Sequence, residues 1–223
     1  MGDIVANDPR YPWRMPPSTP APDAVSIEAV CTGNICRSPY LHVRLQAALD
    51  DIAAGDFIVT SSGIHAMVDW PVEPGTREVL SARGLSSEGL SARQTTEAIL
   101  LRADLVLVMD PRHRAFVIDE FPGAAPRTFL VLELARLLTT LHAEHPWPAR
   151  LASLAPTDVR GRWAAVTKAA HAARSPLGPG GSGDIVADPY RQQRPAFEAM
   201  AAQLDASIAP IVALEQAVRA QSR

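Results

Sequence analysis

Hydrophobic positions along the chain alternate between short strand-like runs and longer segments with helical spacing. Four runs have the length and composition of buried or half-buried strands, at residues 25–30, 57–61, 104–109 and 128–132. Helical spacing fills the intervals and the end of the chain, at residues 40–49, 75–84, 95–103, from Pro111 onward, 133–138 and 191–218. This order predicts an α/β fold class, a three-layer doubly wound structure with a four-stranded parallel sheet and helices on both faces.

Two segments interrupt this pattern. Residues 1–24 are rich in proline and have little hydrophobic periodicity, so we expect a flexible tail before a single domain that spans 25–223. Residues 139–182 form an insertion, which includes a short helix near 163–174 and a Gly-rich connector. A long insertion of this kind is expected to be a functional lid or a disordered loop, with its tryptophans as satellite packing.

Composition narrows the classes of function. Hydrophobic residues make up 47% of the 223 residues, and the formal net charge is −3. This charge predicts no nucleic-acid partner, and no apolar run approaches the roughly 20 residues of a membrane span. The first residues have no apolar core of a signal peptide, so a cytoplasmic location is expected. Two cysteines, Cys31 and Cys36, are too few and too close for a disulfide scaffold.

The segment Cys31–Ser38, CTGNICRS, follows the first predicted strand and opens a helix. A tight loop in this position turns its backbone N–H groups inward, and the helix N-terminus adds a positive dipole end, which together bind an anion. Gly33 and Asn34 tolerate the left-handed backbone of such a loop. Arg37 supplies a planar fork for two phosphate oxygens, and the positive potential favours the thiolate of Cys31.

A nucleophile alone does not release an aryl or alkyl oxygen, because the leaving group also needs a proton. The candidate acid is Asp188, which stands in the late segment Asp-Pro-Tyr. Pro189 stiffens the backbone beside it, and Tyr190 is placed to wall the pocket and stack on an aromatic substrate. The residues therefore favour phosphoryl transfer to Cys31, with Asp188 as general acid.

The motif V-C-x-G-N-x-C-R-S-P, followed much later by D-P-Y, resembles the low-molecular-weight protein tyrosine phosphatase family. Similarity also extends to the segment after the second strand, to the Ala-Arg-Gln stretch with Arg93, and to the final helix. The resemblance implies a cysteine-dependent hydrolase that needs no cofactor and no metal. Its expected partner is a phosphotyrosine-containing protein, such as a bacterial tyrosine kinase, and it implies no oligomeric state.

The resemblance also implies site residues. Cys31, Arg37 and Asp188 would be catalytic, and Ser62 would support the loop. The phosphate and the substrate would be bound by Thr32, Gly33, Asn34, Ile35, Cys36, Ser38, Tyr190 and Trp70, with His65 as the alternative to Trp70 at the entrance. Cys36 is expected either to pack in the core or to act as a reversible redox partner of Cys31.

The sequence departs from the family pattern at Leu90, where a histidine is common, at Arg191, where a second aromatic residue is common, and in the long insertion. Two other functions stay open. An arsenate reductase would need an external thiol, because no cysteine follows Cys36. A phosphoprotein-binding module without turnover would use the same loop, and hydrolysis of an aryl phosphate separates it from an enzyme.

Overall fold

A computed structural model describes residue 21 and residues 23–155, 157–174 and 182–220. One parallel sheet lies at its centre, with the strand order β2–β1–β3–β4. The strands are β1 (Val25–Cys31), β2 (Phe57–Gly63), β3 (Leu105–Val108) and β4 (Thr128–Leu130). The predicted four-stranded parallel sheet is confirmed.

Helices occupy the intervals that the hydrophobic spacing predicts. They are α1 (Arg37–Ala53), α2 (Pro74–Ser81), α3 (Glu97–Arg102), α4 (Pro111–Glu120), α5 (Val131–Glu144), α6 (Trp147–Arg150), α7 (Val159–Ala172) and α8 (Arg194–Ala220). Short 3-10 turns cover Pro122–Arg127 and Ser182–Asp184. The larger apolar cluster joins one sheet face to α1, α5, α7 and α8, and the smaller one joins the opposite face to α3 and α4.

The strand order creates a switch point at the carboxyl ends of β1 and β3. From β1 the chain passes through α1 to β2 on one side, and from β3 it passes through α4 to β4 on the other. The two connections diverge and leave a crevice, which is where ligands bind in open α/β sheets. Cys31, the last residue of β1, lies at this crevice, paired in register with Gly63 of β2.

Two local predictions need correction. The predicted strand 128–132 ends at Leu130, because the Glu133 carboxylate accepts a hydrogen bond from the Leu130 N–H and α5 begins at Val131. Ser38, directly before Pro39 in the sequence, also predicts an N-cap for the first helix, but α1 begins at Arg37 and Cys36 occupies the cap position. The Ser38 hydroxyl instead contacts the thiol of Cys31.

The described residues of the insertion, 139–155, 157–174 and 182, do not form a lid over the crevice. Residues 139–144 continue α5, and α7 packs near the amino end of the sheet, where Arg160 pairs with Asp104 at 3.0 Å. Trp147 and Trp163 both belong to the main apolar cluster rather than to a satellite. The Gly-rich connector and nearly all of the 1–24 tail lie outside the described residues, so those predictions stay untested.

Helix α8 corrects the expectation that no segment is apolar enough for a membrane span. In the part of the chain that the structure describes, α8 alone meets the length and composition of such a span, and 44% of its most apolar window is buried. It packs against α1 and α5, so its apolar side chains form the core of the fold. Such a core helix passes the same test as a span, which makes the match weak evidence for a membrane.

Candidate active site

The phosphate loop of residues 31–38 is held open by hydrogen bonds that reach its outer side. The carbonyls of Cys31, Thr32, Gly33 and Ile35 accept from backbone N–H groups of residues 64, 65, 67 and 73 at 2.9–3.0 Å. In a trans peptide the N–H points opposite to the carbonyl, so the N–H groups of the following residues turn inward. The loop thereby presents a nest of N–H donors to an anion.

The nest depends on a close approach between two backbones. A Cβ at Gly63 would lie 2.4 Å from the Thr32 carbonyl oxygen and 2.9 Å from the Asn34 nitrogen, so any larger residue would displace the loop. Asn34 has a φ of 56°, in the left-handed region. Its side chain is buried and bonds at both ends, to the Arg93 N–H through Oδ1 and to Ser38 through Nδ2.

Cys31 lies at the base of the nest, and its thiol is 3.0 Å from the Ser38 hydroxyl. That hydroxyl also lies 3.3 Å from the Ser62 carbonyl oxygen, while the Ser62 hydroxyl bonds Thr95 at 2.9 Å. Ser62 therefore contacts the loop through its carbonyl. Cys36 lies in a different environment. Burial raises the pKa of its thiol to about 12 and keeps the thiol protonated.

The guanidinium of Arg37 contacts the acid loop, the segment of residues 185–190 that contains Asp188. Nη2 bonds Asp188 at 2.8 Å, and Nη1 lies 3.6 Å from the buried carboxylate of Asp110. Among the described residues, Nε of Arg37 finds no hydrogen-bond partner although it is buried. The side chain is 3% exposed while that of Asp188 is 48% exposed, so the acid lies at the mouth of the site.

Asp110 and His113 form a second polar layer behind Arg37. Burial raises the pKa of Asp110, but the nearby His113 and the N–H donors of Arg112 and His113 outweigh it and lower the pKa overall. Burial lowers the pKa of His113 to about 4, so its ring is neutral at pH 7. Its Nε2 lies 2.8 Å from the Thr32 hydroxyl, which links this layer to the loop.

These groups surround a cavity of about 160 Å³. Its lining consists of Cys31, Thr32, Gly33, Ile35, Cys36, Arg37, His65, Met67, Asp188 and Tyr190. The Tyr190 N–H donates to Asp188 Oδ1 at 3.2 Å, and the Val186 N–H bonds the carbonyl of Met109, which anchors the acid loop to β3. The cavity thus brings a thiol, a guanidinium and a carboxyl together under a partly apolar wall.

A larger groove of about 710 Å³ runs between α1 and residues 83–90. Its charged residues include Asp50, Asp51 and Glu88, and its arginines Arg44 and Arg83 are already paired with Asp205. Acidic residues repel phosphate, and a paired arginine has donors already engaged. The smaller cavity at Cys31 is therefore the candidate active site.

Comparison with known proteins identifies this constellation. The profile of the low molecular weight phosphotyrosine protein phosphatases matches residues 26–149. The chain belongs to that family. Probable low molecular weight protein-tyrosine-phosphatase EpsP of Ralstonia nicotianae is 33% identical over 109 residues, 49% of this chain and 72% of EpsP. Etp of Escherichia coli K12 is 35% identical over 105 residues, 47% of this chain and 68% of Etp.

Solved structures of the family share the fold. The tyrosine phosphatase AmsI of Erwinia amylovora superposes with a TM-score of 0.58 and 25% identity, covering 85% of this chain and 92% of that chain. The family enzyme from T. tengcongensis gives 0.61 at 21% identity, with coverage of 85% and 99%, and supports the fold alone. The profile match ends at residue 149, so it includes the phosphate loop but not Asp188.

The sequence predicted most of the residues that line the cavity, but not the polar residues Asp110 and His113 behind Arg37. Asp110, His113, Thr95 and Gly63 were not singled out, although a polar residue directly after a buried strand was a usable signal for Asp110. The prediction that Trp70 lines the pocket needs correction. Its side chain is 56% exposed, and from the loop of residues 65–70 it is His65 and Met67 that line the cavity. Asp69, directly before Trp70, has a left-handed φ of 66°, and Trp70 is not among the residues that line the cavity.

Proposed function

We propose that this family member hydrolyses phosphotyrosine in proteins through a phosphocysteine intermediate. The observation that carries the proposal is the meeting of Cys31, Arg37 and Asp188 at one cavity lined by inward N–H groups. The relatives are named as protein-tyrosine-phosphatases, which supports the same substrate class here.

In the first step the Cys31 thiolate attacks phosphorus, and the bond from phosphorus to the tyrosine oxygen breaks. The loop N–H groups and Arg37 hold the three equatorial oxygens, where charge is spread in the transition state. Arg37 must exchange its bond to Asp188 for phosphate oxygens. The protonated Asp188 then gives its proton to the leaving phenolate, which is otherwise a poor leaving group.

In the second step water attacks the phosphocysteine, and Asp188 accepts a proton from that water. The thiolate of Cys31 leaves, and the Ser38 hydroxyl at 3.0 Å donates to it as the charge returns. Inorganic phosphate is released. The chain's own N–H groups and Arg37 supply the charge stabilisation, so this mechanism assigns no step to a metal or cofactor.

The walls of the cavity favour a phenyl ring. Ile35 and Met67 supply apolar contacts, and Tyr190 stands at the mouth beside Asp188. A phosphoserine has no ring to contact these walls. A tyrosine kinase with phosphorylated tyrosines is the partner that fits this chemistry and the family.

Hydrolysis of para-nitrophenyl phosphate and of a phosphotyrosine peptide between pH 5 and 8 tests the proposal. Cys31→Ser should remove turnover, and Asp188→Asn should lower kcat by about 10²–10⁴ because proton transfer is lost. Asp104→Asn is the matched control, since Asp104 precedes β3 at the opposite end of the sheet.

Two outcomes would contradict the proposal. Phosphate binding without any turnover by folded wild type would indicate a phosphoprotein-binding module. Arsenate reduction with a small thiol, in the absence of phosphatase turnover, would indicate the reductase instead.

A further inference from the structure

Glu28 is a buried carboxylate in an interior strand of the sheet. It lies in β1, three residues before Cys31, and is 2% exposed. Its sheet neighbours in register are Thr60 and Val106, and the same strand face carries Val30 in the smaller apolar cluster. Burying a charge without a partner is costly, so a carboxylate here needs a compensating contact.

Arg93 supplies that contact and crosses from the sheet to the phosphate loop. Its Nη2 bonds Glu28 Oε2 at 2.9 Å, and its Nε bonds the Ser61 carbonyl at 2.7 Å. The Thr60 hydroxyl also donates to Glu28. Two charge-assisted contacts in different directions fix the guanidinium and, through it, the backbone of residue 93.

The backbone of Arg93 in turn holds Asn34. The Arg93 N–H donates to Asn34 Oδ1 at 2.9 Å, and Asn34 Nδ2 donates to Ser38 Oγ at 2.9 Å. Asn34 is the loop residue with a left-handed backbone, so its side-chain bonds stabilise the strained turn of the nest. Ser38 then contacts the thiol of Cys31.

We propose that Glu28 is a positioning residue for the phosphate loop, acting through Arg93 and Asn34 on the nest that binds the phosphoryl group. The inference deepens the proposed function and rests on it for the identity of the substrate. Glu28 touches neither substrate nor nucleophile. Its effect is to hold Asn34 in the left-handed conformation that keeps the N–H groups directed at the anion.

The test measures binding of inorganic phosphate by calorimetry alongside turnover of para-nitrophenyl phosphate. Glu28→Gln keeps the shape and removes the charge, so Arg93 loses its ionic anchor. We expect phosphate to bind about tenfold more weakly and kcat/KM to fall by a similar factor, the scale of one charge-assisted hydrogen bond. Arg93→Lys, which keeps a cation but loses the fork, should weaken phosphate binding to a similar degree.

A second buried carboxylate provides the control. Glu215 is fully buried between α7 and α8, where it bonds Arg162 at 2.6 Å and Trp163 at 3.1 Å. Glu215→Gln should lower thermal stability while phosphate affinity stays within about twofold of wild type, because its contacts are in the core away from residues 31–38. If Glu28→Gln does not fold, Arg93→Lys alone carries the comparison.

The two proposals fail in different ways. Equal phosphate affinity in wild type, Glu28→Gln and Arg93→Lys, with active wild type, overturns the role of Glu28 and leaves the phosphatase intact. Phosphate binding that weakens in both variants, in a wild type without turnover, supports the positioning role and overturns the proposed reaction. Additive losses in the Glu28→Gln/Arg93→Lys double variant would also overturn the relay, because residues in one contact chain lose no more together than singly.

Discussion

Ser38 illustrates at the residue scale how far a sequence motif predicts a site. The motif identified Ser38 near the nucleophile, and the structure places its buried hydroxyl among Cys31, Asn34 and the Ser62 carbonyl. Cys31 and Arg37 were predictable in the same way, because the loop concentrates them within a short segment. Glu28 was not, since a lone acidic residue in a strand has no spacing pattern, and only the fold reveals its contact with Arg93.

The residue-scale prediction concerns oxidation of Cys31. Both cysteines are free and line the same cavity, and burial raises the pKa of Cys36 to about 12, which protects its thiol from direct oxidation but also slows its attack as a thiolate. Hydrogen peroxide should oxidise Cys31 to a sulfenic acid, and the Cys36 sulfur should then displace water to form a disulfide. Intact mass of peroxide-treated protein should show the loss of two hydrogens, and dithiothreitol should restore activity.

Cys36→Ser is the informative variant for this chemistry. Without the second thiol, Cys31 should proceed to sulfinic acid and activity should not return with dithiothreitol. Each variant is compared with its own activity before treatment. Irreversible oxidation of wild type at the same rate as the variant would show that Cys36 only packs in the core.

At the element scale, the alternation of strands and helices was predictable because short β-branched or apolar runs alternate with segments of helical spacing. Element ends were less so. Leu130 and Val131 are equally apolar, and the strand ends between them because the Glu133 side chain satisfies a backbone N–H. The described part of the insertion packs in the core rather than over the site. The sequence did not predict this, because the positions of Trp147 and Trp163 do not indicate which apolar surface they cover.

The element-scale prediction is that α7 is part of the core. Trp163 is buried against Phe57 with ring centroids 5.7 Å apart, and its Nε1 bonds Glu215. Trp163→Ala should lower the free energy of unfolding by about 3–5 kcal/mol, because it leaves a cavity and removes one hydrogen bond from the buried Glu215 carboxylate. Urea denaturation measures the change.

Trp70→Ala is the matched control, because that side chain is 56% exposed. It should change the free energy of unfolding by no more than about 0.5 kcal/mol. Equal small losses in both variants would mean that the insertion contributes little to the stability of the fold.

At the scale of the whole molecule, the buried histidines set how stability varies with pH. Burial lowers the pKa of His113 to about 4, whereas an unfolded histidine titrates near 6.5. The folded state therefore binds fewer protons, and the stabilisation present above pH 6.5 is lost as the pH falls towards 4. The free energy of unfolding should fall by up to about 3 kcal/mol through this group, measured by urea denaturation at several pH values.

In His113→Gln the free energy of unfolding should fall less steeply as the pH is lowered. The difference in slope should correspond to up to about one bound proton per molecule. His42, whose pKa burial and then Arg93 lower to about 4, contributes a second decline of the same sign. Burial raises the pKa of Glu28, which acts in the opposite sense, but this effect is common to both proteins being compared. His171→Gln, at an exposed position, is the control, and parallel curves for wild type and His113→Gln would contradict the prediction.

The bond between Arg37 and Asp188 also sets how strongly the reaction's own product can occupy the site. Every anion that takes the Arg37 donors must displace a carboxylate already held at 2.8 Å, so the apparent affinity of free phosphate is reduced by that competition. A tyrosine ester offsets the same cost with ring contacts to Ile35 and Met67, which free phosphate lacks. In the proposed reaction Asp188 would therefore have a second role besides donating a proton, because its competition with phosphate for Arg37 would limit product inhibition.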